Sequence, residues 1–167
     1  KLVKAMVEAE IPVMGHVGLT PQSILSLGRY RVKGKVAAEA RRIVEDAVRL
    51  ERAGAFAVVL ESVPVEVAAL VTRAVGIPTI GIGAGPACDG QVLVFHDVMG
   101  YSTGYMPKFV RRYADLHGVM GVAVGAYAAD VRAGRFPDDA TSYHLRPEVA
   151  SELAPKKGRA VRGRAKR

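Results

Sequence analysis

AFAVVL, residues 55–60, followed at once by Glu61, is the stretch on which the reading of the fold turns. It is short, continuously apolar and contains β-branched residues, which suits a strand buried on both faces. Immediately before it, residues 36–53 (VAAEARRIVEDAVRLERA) carry Ile43, Ala47 and Leu50 at helical spacing with Arg and Glu elsewhere, the pattern of an amphipathic helix. Gly54 is a natural stop for that helix. After Glu61, residues 64–75 read as a second helix, with Pro64 suited to its first turn and Gly76 to its end. Residues 77–82, IPTIGI, read as another short strand, closed by Gly83, Ala84 and Gly85. QVLVF at 91–95 reads as a third strand. Pro107 is expected to open a helix to about residue 117, and a further helix is expected over 119–134, ended by Gly134.

Upstream, residues 1–9 look like the end of an amphipathic helix. The apolar run IPVM at 11–14 leads to Gly15 and His16, and Pro21 and Gly28 punctuate the loop beyond. The repeat of strand, loop and helix implies parallel strands joined by crossover helices, an α/β protein. A doubly wound sheet and a (β/α)8 barrel both satisfy it, and short strands wrapped in turn by helices favour the barrel. Four strand starts make half a barrel, since a whole one takes roughly 250 residues.

The bulk numbers agree with a domain or part of one: 167 residues, half of them apolar. The chain begins at Lys1 within a helix-like pattern, which points to a missing N-terminal segment or to processing. No charged-then-apolar leader opens it, so no secretory signal is expected. The longest apolar run, residues 55–60, is too short to span a bilayer. Cys88 is the only cysteine, which excludes a disulfide framework or a cysteine-based zinc site within one chain and fits a reducing cytoplasm. The net charge of +8 suggests nucleic acid until it is located: Lys156, Lys157, Arg159, Arg162, Arg164, Lys166 and Arg167 leave only +1 for residues 1–154. Residues 155–167 lack large apolar side chains and are expected to be a disordered basic tail. Residues 1–154 are expected to hold the folded domain, with no nucleic-acid and no membrane partner.

Chemistry in parallel α/β architectures gathers at the carboxyl ends of the strands. Glu61 falls there. A carboxylate straight after six apolar residues risks burial, and burial raises a carboxylate pKa towards the range a general base needs near neutral pH. The alternative is a strand-end glutamate that reaches water or caps the next helix. His16, between Gly15 and Gly18, is either a structural histidine or one lining a pocket. GIGAG at 81–85 resembles a phosphate cradle but lacks the dinucleotide spacing. His96 and Asp97 are either a metal pair or surface residues. Zinc-spaced His and Cys, a nucleophile elbow and a P-loop are all lacking.

Four blocks then speak together. IPVMGHVGLTPQS (11–23), DAVRLERAGAFAVVLESVP (46–64), IPTIGIGAGPACDGQVLVFHD (77–97) and PKFVRRYADL (107–116) closely resemble consecutive blocks of the ketopantoate hydroxymethyltransferase family, in its order and at its spacing. The resemblance covers about residues 1–137. It implies a (β/α)8 TIM-type barrel of the phosphoenolpyruvate mutase and isocitrate lyase group, of which this chain is the C-terminal half. It implies transfer of a hydroxymethyl group from 5,10-methylenetetrahydrofolate to α-ketoisovalerate (3-methyl-2-oxobutanoate), giving ketopantoate for pantothenate synthesis. It also implies Mg2+ holding the keto acid, a homodecamer and a cytoplasmic enzyme. By the same resemblance Glu61 is the proton acceptor, and His16, Gly15 and Gly83 belong to the substrate pocket. That chemistry is coherent. The proton beside the ketone leaves only if a cation stabilises the enolate and a base reaches it.

Three departures stand out. The family's metal-ligating aspartates, its keto-acid lysine and a glutamate near the metal precede the GHVGLTPQS block and have no counterpart here, so no metal ligand is expected in this chain. The family's G-G-Y-x-V-Q-G reads GRYRVKG, with Arg29 and Lys33 replacing Gly and Gln. An HSF-like ending reads TSYH at 141–144, before the basic tail. The alternative readings are an inactive fragment that cannot hold metal, and a binding protein whose tail finds RNA.

Overall fold

The structure, a computed structural model, describes residues 1–20 and 32–154. The basic tail, Arg29 and the turn residues Pro21 and Gly28 lie outside the described residues. The chain divides into two compact units, Lys1–His117 and Gly118–Arg167.

The first unit is α/β. Its elements are α1 (Leu2–Glu8), β1 (Met14–Gly18), α2 (Ala37–Arg52), β2 (Ala57–Glu61), α3 (Val65–Ala74), β3 (Thr79–Ile82), β4 (Gly90–Gln91) and α4 (Phe95–Val98). The four strands form one sheet in the order β1-β2-β3-β4, and every neighbouring pair is parallel. Sequential parallel strands with intervening helices are the arrangement that the alternating pattern predicted.

Side chains of a strand alternate between faces. Gly15 pairs with Val58 and Val17 with Leu60, so these residues share one face. That face is the core: Val17, Val58 and Leu60 pack with Ile43 and Ala47 of α2 and with Val67, Ala68 and Val71 of α3. The other face carries His16, Val59, Glu61, Ile80 and Ile82, all only partly buried. AFAVVL therefore is not buried equally on both faces among the described residues. The helices cover one side, and the side bearing Glu61 remains half open.

Helix ends explain the connections. After α2, Gly54 has φ +94°, its N–H donates to Glu51 O at 2.8 Å, and the Ala55 N–H donates to Leu50 O at 3.1 Å. That is the double bond of a glycine C-cap, and it turns the chain directly into β2. Gly76 behaves differently from the expected stop. Val75 at the end of α3 is extended, and the Gly76 N–H donates to Glu51 Oε1 of α2 at 2.6 Å. Pro64 lies just before α3 rather than in its first turn.

Two expected elements are corrected. QVLVF is not a strand beyond Gln91: β4 has two residues, and Phe95 begins the short α4. Valine and phenylalanine there lack a ladder partner after the Val92 N–H bonds Gly81 O, and tertiary context overrides their strand propensity. Residues 107–115 contain no α-helix. Their backbone is used elsewhere, with the Tyr113 N–H donating to Val98 O and the Leu116 N–H to Met99 O. The next helix, α5, runs Leu116–Arg132.

In the second unit α5 ends as predicted at Gly134, with φ +68° and the Arg135 N–H on Asp130 O. Tyr127 and Phe136 meet edge to face at 5.4 Å, and α6 spans Pro147–Leu153.

Leu60 is fully buried at the centre of the first unit. Truncating it removes packing shared with α2 and α3 and leaves a cavity. Leu60→Ala is expected to lower unfolding free energy by about 2–5 kcal/mol, read as a lower midpoint in urea with an unchanged slope.

Candidate active site

β1 and β2 end side by side, with Gly18 paired to Glu61. Strand alternation places His16, two residues before Gly18, on the same open face as Glu61. There His16 Nε2 lies 3.3 Å from Glu61 Oε2, with the histidine side chain 32% exposed and the glutamate 13%. The structure thus brings together two of the residues singled out from the sequence.

The turn after β1 ties the pair to the backbone. His16 Nε2 is 2.9 Å from Leu19 O. The Leu19 N–H donates to Glu61 O at 2.8 Å. Gly18 makes this close approach possible: its φ is +93°, and a Cβ there would stand 2.3 Å from Glu61 O. Only glycine accepts that combination of left-handed backbone and contact. On the other side of Glu61, Ser62 takes φ +51° although it is not glycine. Its N–H donates to Ile82 O of β3, and its carbonyl accepts the Lys33 N–H at 2.9 Å. A non-glycine residue held in this region costs free energy that surrounding bonds must offset, and such residues cluster at functional sites.

The electrostatics follow from burial. Removal from water pushes the Glu61 carboxyl above its ordinary value, while attraction and hydrogen bonding from His16 partly oppose the rise. A carboxylate of raised basicity on an open face, beside a hydrogen-bond donor, can take a proton from a substrate near neutral pH.

The remaining residues sort as follows. Gly15 lies on the helix-covered face, where a Cβ would meet the Leu50 side chain at 2.7 Å. It is not brought together with His16 and Glu61. Gly83 has φ +65° and lies under the ring of Phe109, which a Cβ would meet at 2.4 Å. Lys33 lines a cavity of about 630 Å³ with His16, Gly18, Thr20 and Glu39, along the outer side of β1. His96 lines a separate cavity of about 360 Å³ with Tyr101, Ser102, Thr103 and His117. Cys88 is a free, half-buried thiol whose pKa burial pushes up. Among the described residues no group of three or more His, Cys, Asp or Glu is arranged to hold a metal ion, and no helix is long and apolar enough to cross a membrane.

Sequence reasoning missed Leu19 and Ser62, which act through their peptide groups. The glycine at the end of GHVG was a usable signal for the first. Nothing in the side chain of Ser62 announces its backbone.

A parallel α/β sheet with a partly desolvated carboxylate beside an imidazole at its strand ends defines the class, an α/β protein with its candidate site at the strand ends. Comparison with known proteins makes this specific. The family model of ketopantoate hydroxymethyltransferase matches residues 1–139. The 3-methyl-2-oxobutanoate hydroxymethyltransferase of Methylobacterium sp. (strain 4-46) is 57% identical over 152 residues, 91% of this chain and 53% of that protein. The same-named proteins of Chlorobium phaeobacteroides (strain BS1) and Clostridium beijerinckii are 57% and 50% identical, over 84% and 86% of this chain and 51% and 52% of their own lengths. The chain belongs to the ketopantoate hydroxymethyltransferase family, and it spans about half the length of the curated relatives it matches.

The raised basicity of Glu61 has a cost in stability whose sign is fixed. A carboxyl with a folded pKa above its unfolded value favours the fold most below the unfolded pKa, and that contribution is lost as pH rises through the folded pKa. Glu61→Gln removes the loss. Its melting temperature should exceed that of the unmutated protein at pH 7, and the difference should shrink as pH falls below the 4.5 of a free glutamate; melting curves from pH 4 to 8 check this.

Proposed function

We propose that this chain supplies the proton-abstracting side of a hydroxymethyltransferase that moves a one-carbon unit from 5,10-methylenetetrahydrofolate to α-ketoisovalerate, forming ketopantoate. One observation carries the reading: Glu61, in a family member, stands desolvated at the end of β2 on the open sheet face, 3.3 Å from His16. In this role the Glu61 carboxylate takes the proton from the carbon beside the keto group and holds it. The carbon so freed bonds to the one-carbon unit as that unit's bonds to the folate nitrogens break; water supplies the hydroxyl oxygen, and tetrahydrofolate leaves. His16 lines the pocket and steadies the carboxylate, while Gly15 and Gly83 shape the pocket from behind, one by letting α2 close on β1 and the other by admitting Phe109.

The same proposal takes residues 1–154 as the C-terminal half of a (β/α)8 barrel of the phosphoenolpyruvate mutase and isocitrate lyase group. The half-open face supports it, because Val59, Ile80 and Ile82 are apolar groups that further strands would cover. Magnesium belongs to the proposal as the ion that stabilises the enolate. Its carboxylate ligands would come from outside the described residues, which hold no cluster that fits such an ion. A cytoplasmic homodecamer, with the keto acid and folate as small-molecule partners and no membrane or nucleic acid, completes the reading, with the basic tail dispensable.

Two outcomes test this. In an enzyme that includes this chain and turns over, Glu61→Gln keeps the shape and removes the basicity. Exchange of the keto acid's acidic hydrogen with deuterated water should fall by roughly 100-fold to 10,000-fold while keto-acid binding survives; exchange at the unmutated rate would remove Glu61 from the base role. The 167-residue chain by itself, given magnesium, keto acid and methylenetetrahydrofolate, is expected to form no ketopantoate. Turnover at a complete enzyme's rate would show that the half is sufficient.

A further inference from the structure

We infer that the Gly18–Leu19 corner is a positioning device that fixes which nitrogen of His16 carries hydrogen, and so makes His16 a standing hydrogen-bond donor to Glu61. The inference rests on the reading of Glu61 as the base and adds a role for the residues around it.

The geometry forms a closed circuit. Leu19 O lies 2.9 Å from His16 Nε2, and a carbonyl oxygen can only accept. His16 Nε2 must therefore carry the hydrogen. The same nitrogen faces Glu61 Oε2 at 3.3 Å, so that one hydrogen is shared between the carbonyl and the carboxylate. The preceding peptide group, between Gly18 and Leu19, returns to Glu61, with the Leu19 N–H on its backbone oxygen at 2.8 Å. One residue thus holds the imidazole by its carbonyl and the base's main chain by its amide. Gly18 is the condition for the circuit, because any Cβ would strike Glu61 O.

The consequence is a base whose ionised form is always met by a donor. Without one, the carboxyl at the end of β2 would be driven further towards its protonated, inactive form by desolvation alone. Among the described residues the groups that face it are few. β3 brings Ile82 opposite Glu61. Lys1, Lys33 and, from α2, Glu39, Arg42, Asp46 and Arg49 line the cavity beside His16, and among the described residues the shift of Glu61 is traced to burial and to His16. His16 is accordingly a positioning residue, acting on substrate through Glu61.

The test uses a complete, metal-loaded enzyme that includes this chain, with keto acid and no folate, and follows hydrogen exchange into deuterated water against pH. Removing the donor raises the Glu61 pKa, so the base is protonated at higher pH. His16→Ala should move the acid-side midpoint up by about one pH unit, the worth of one hydrogen bond to a charged group. His16→Asn, whose amide can still donate, should move it less. A midpoint unmoved in a folded His16→Ala enzyme would overturn the inference. Neutron diffraction from the unmutated enzyme gives an independent readout: a deuteron on His16 Nε2 is expected, and its absence there would overturn the inference even if His16→Ala fails to fold. Loss of exchange in Glu61→Gln with no midpoint shift in His16→Ala would leave the base standing and defeat only the positioning role. Normal exchange in Glu61→Gln would defeat the base instead, and the neutron map would then decide whether the circuit exists.

Discussion

The parallel register of β1 against β2 is the constraint from which the site follows. Val17 and Leu60 face each other across it and turn together into the core beneath α2 and α3. Because alternate residues of a strand point to opposite faces, burying those two sends His16 and Glu61 to the other side. A slip of one residue would bury the carboxylate among valines and expose the leucine, so hydrophobic burial holds the polar pair in place. The pair's own attraction is a consequence of that registration.

Backbone geometry then refines what the register delivers. Gly18 and Ser62 both take left-handed conformations and flank the end of the strand pair. Their neighbours bond across three segments: Leu19 to Glu61, Ser62 to Ile82, and Lys33 to Ser62. Glu61 is consequently held on both sides by main-chain bonds, while its side chain remains on a face that the helices do not cover. A rigid backbone carrying a partly desolvated carboxylate is a good support for a base, since the group is raised in basicity without being sealed from a ligand.

The half-open sheet links fold to family. Among the described residues one face of the sheet is only partly covered and β1 is an edge strand, and the curated relatives are about twice the length matched here. Lys33, where the family's pattern has glutamine, lines the cavity along that outer side with His16, so the departure sits beside the site.

Much of this was legible in the residues alone. AFAVVLE declared a short strand with a carboxylate at its end, though not that only one of its faces is fully buried; the helix over 36–53 declared its apolar stripe, and Gly54 and Gly134 declared their caps, because periodicity and the left-handed freedom of glycine are local properties. The four motif blocks declared the family. What failed were elements decided by partners. QVLVF has strand-forming side chains but loses its ladder after Val92, and residues 107–115 have a helical composition but bond instead to the backbone around α4. Sequence left Glu61 and His16 as separate candidates, and it could not show that Gly15 faces a helix while His16 faces a carboxylate. Only the tertiary structure decided that, because strand register and the path of the backbone at Leu19 are set by packing between segments distant in the chain.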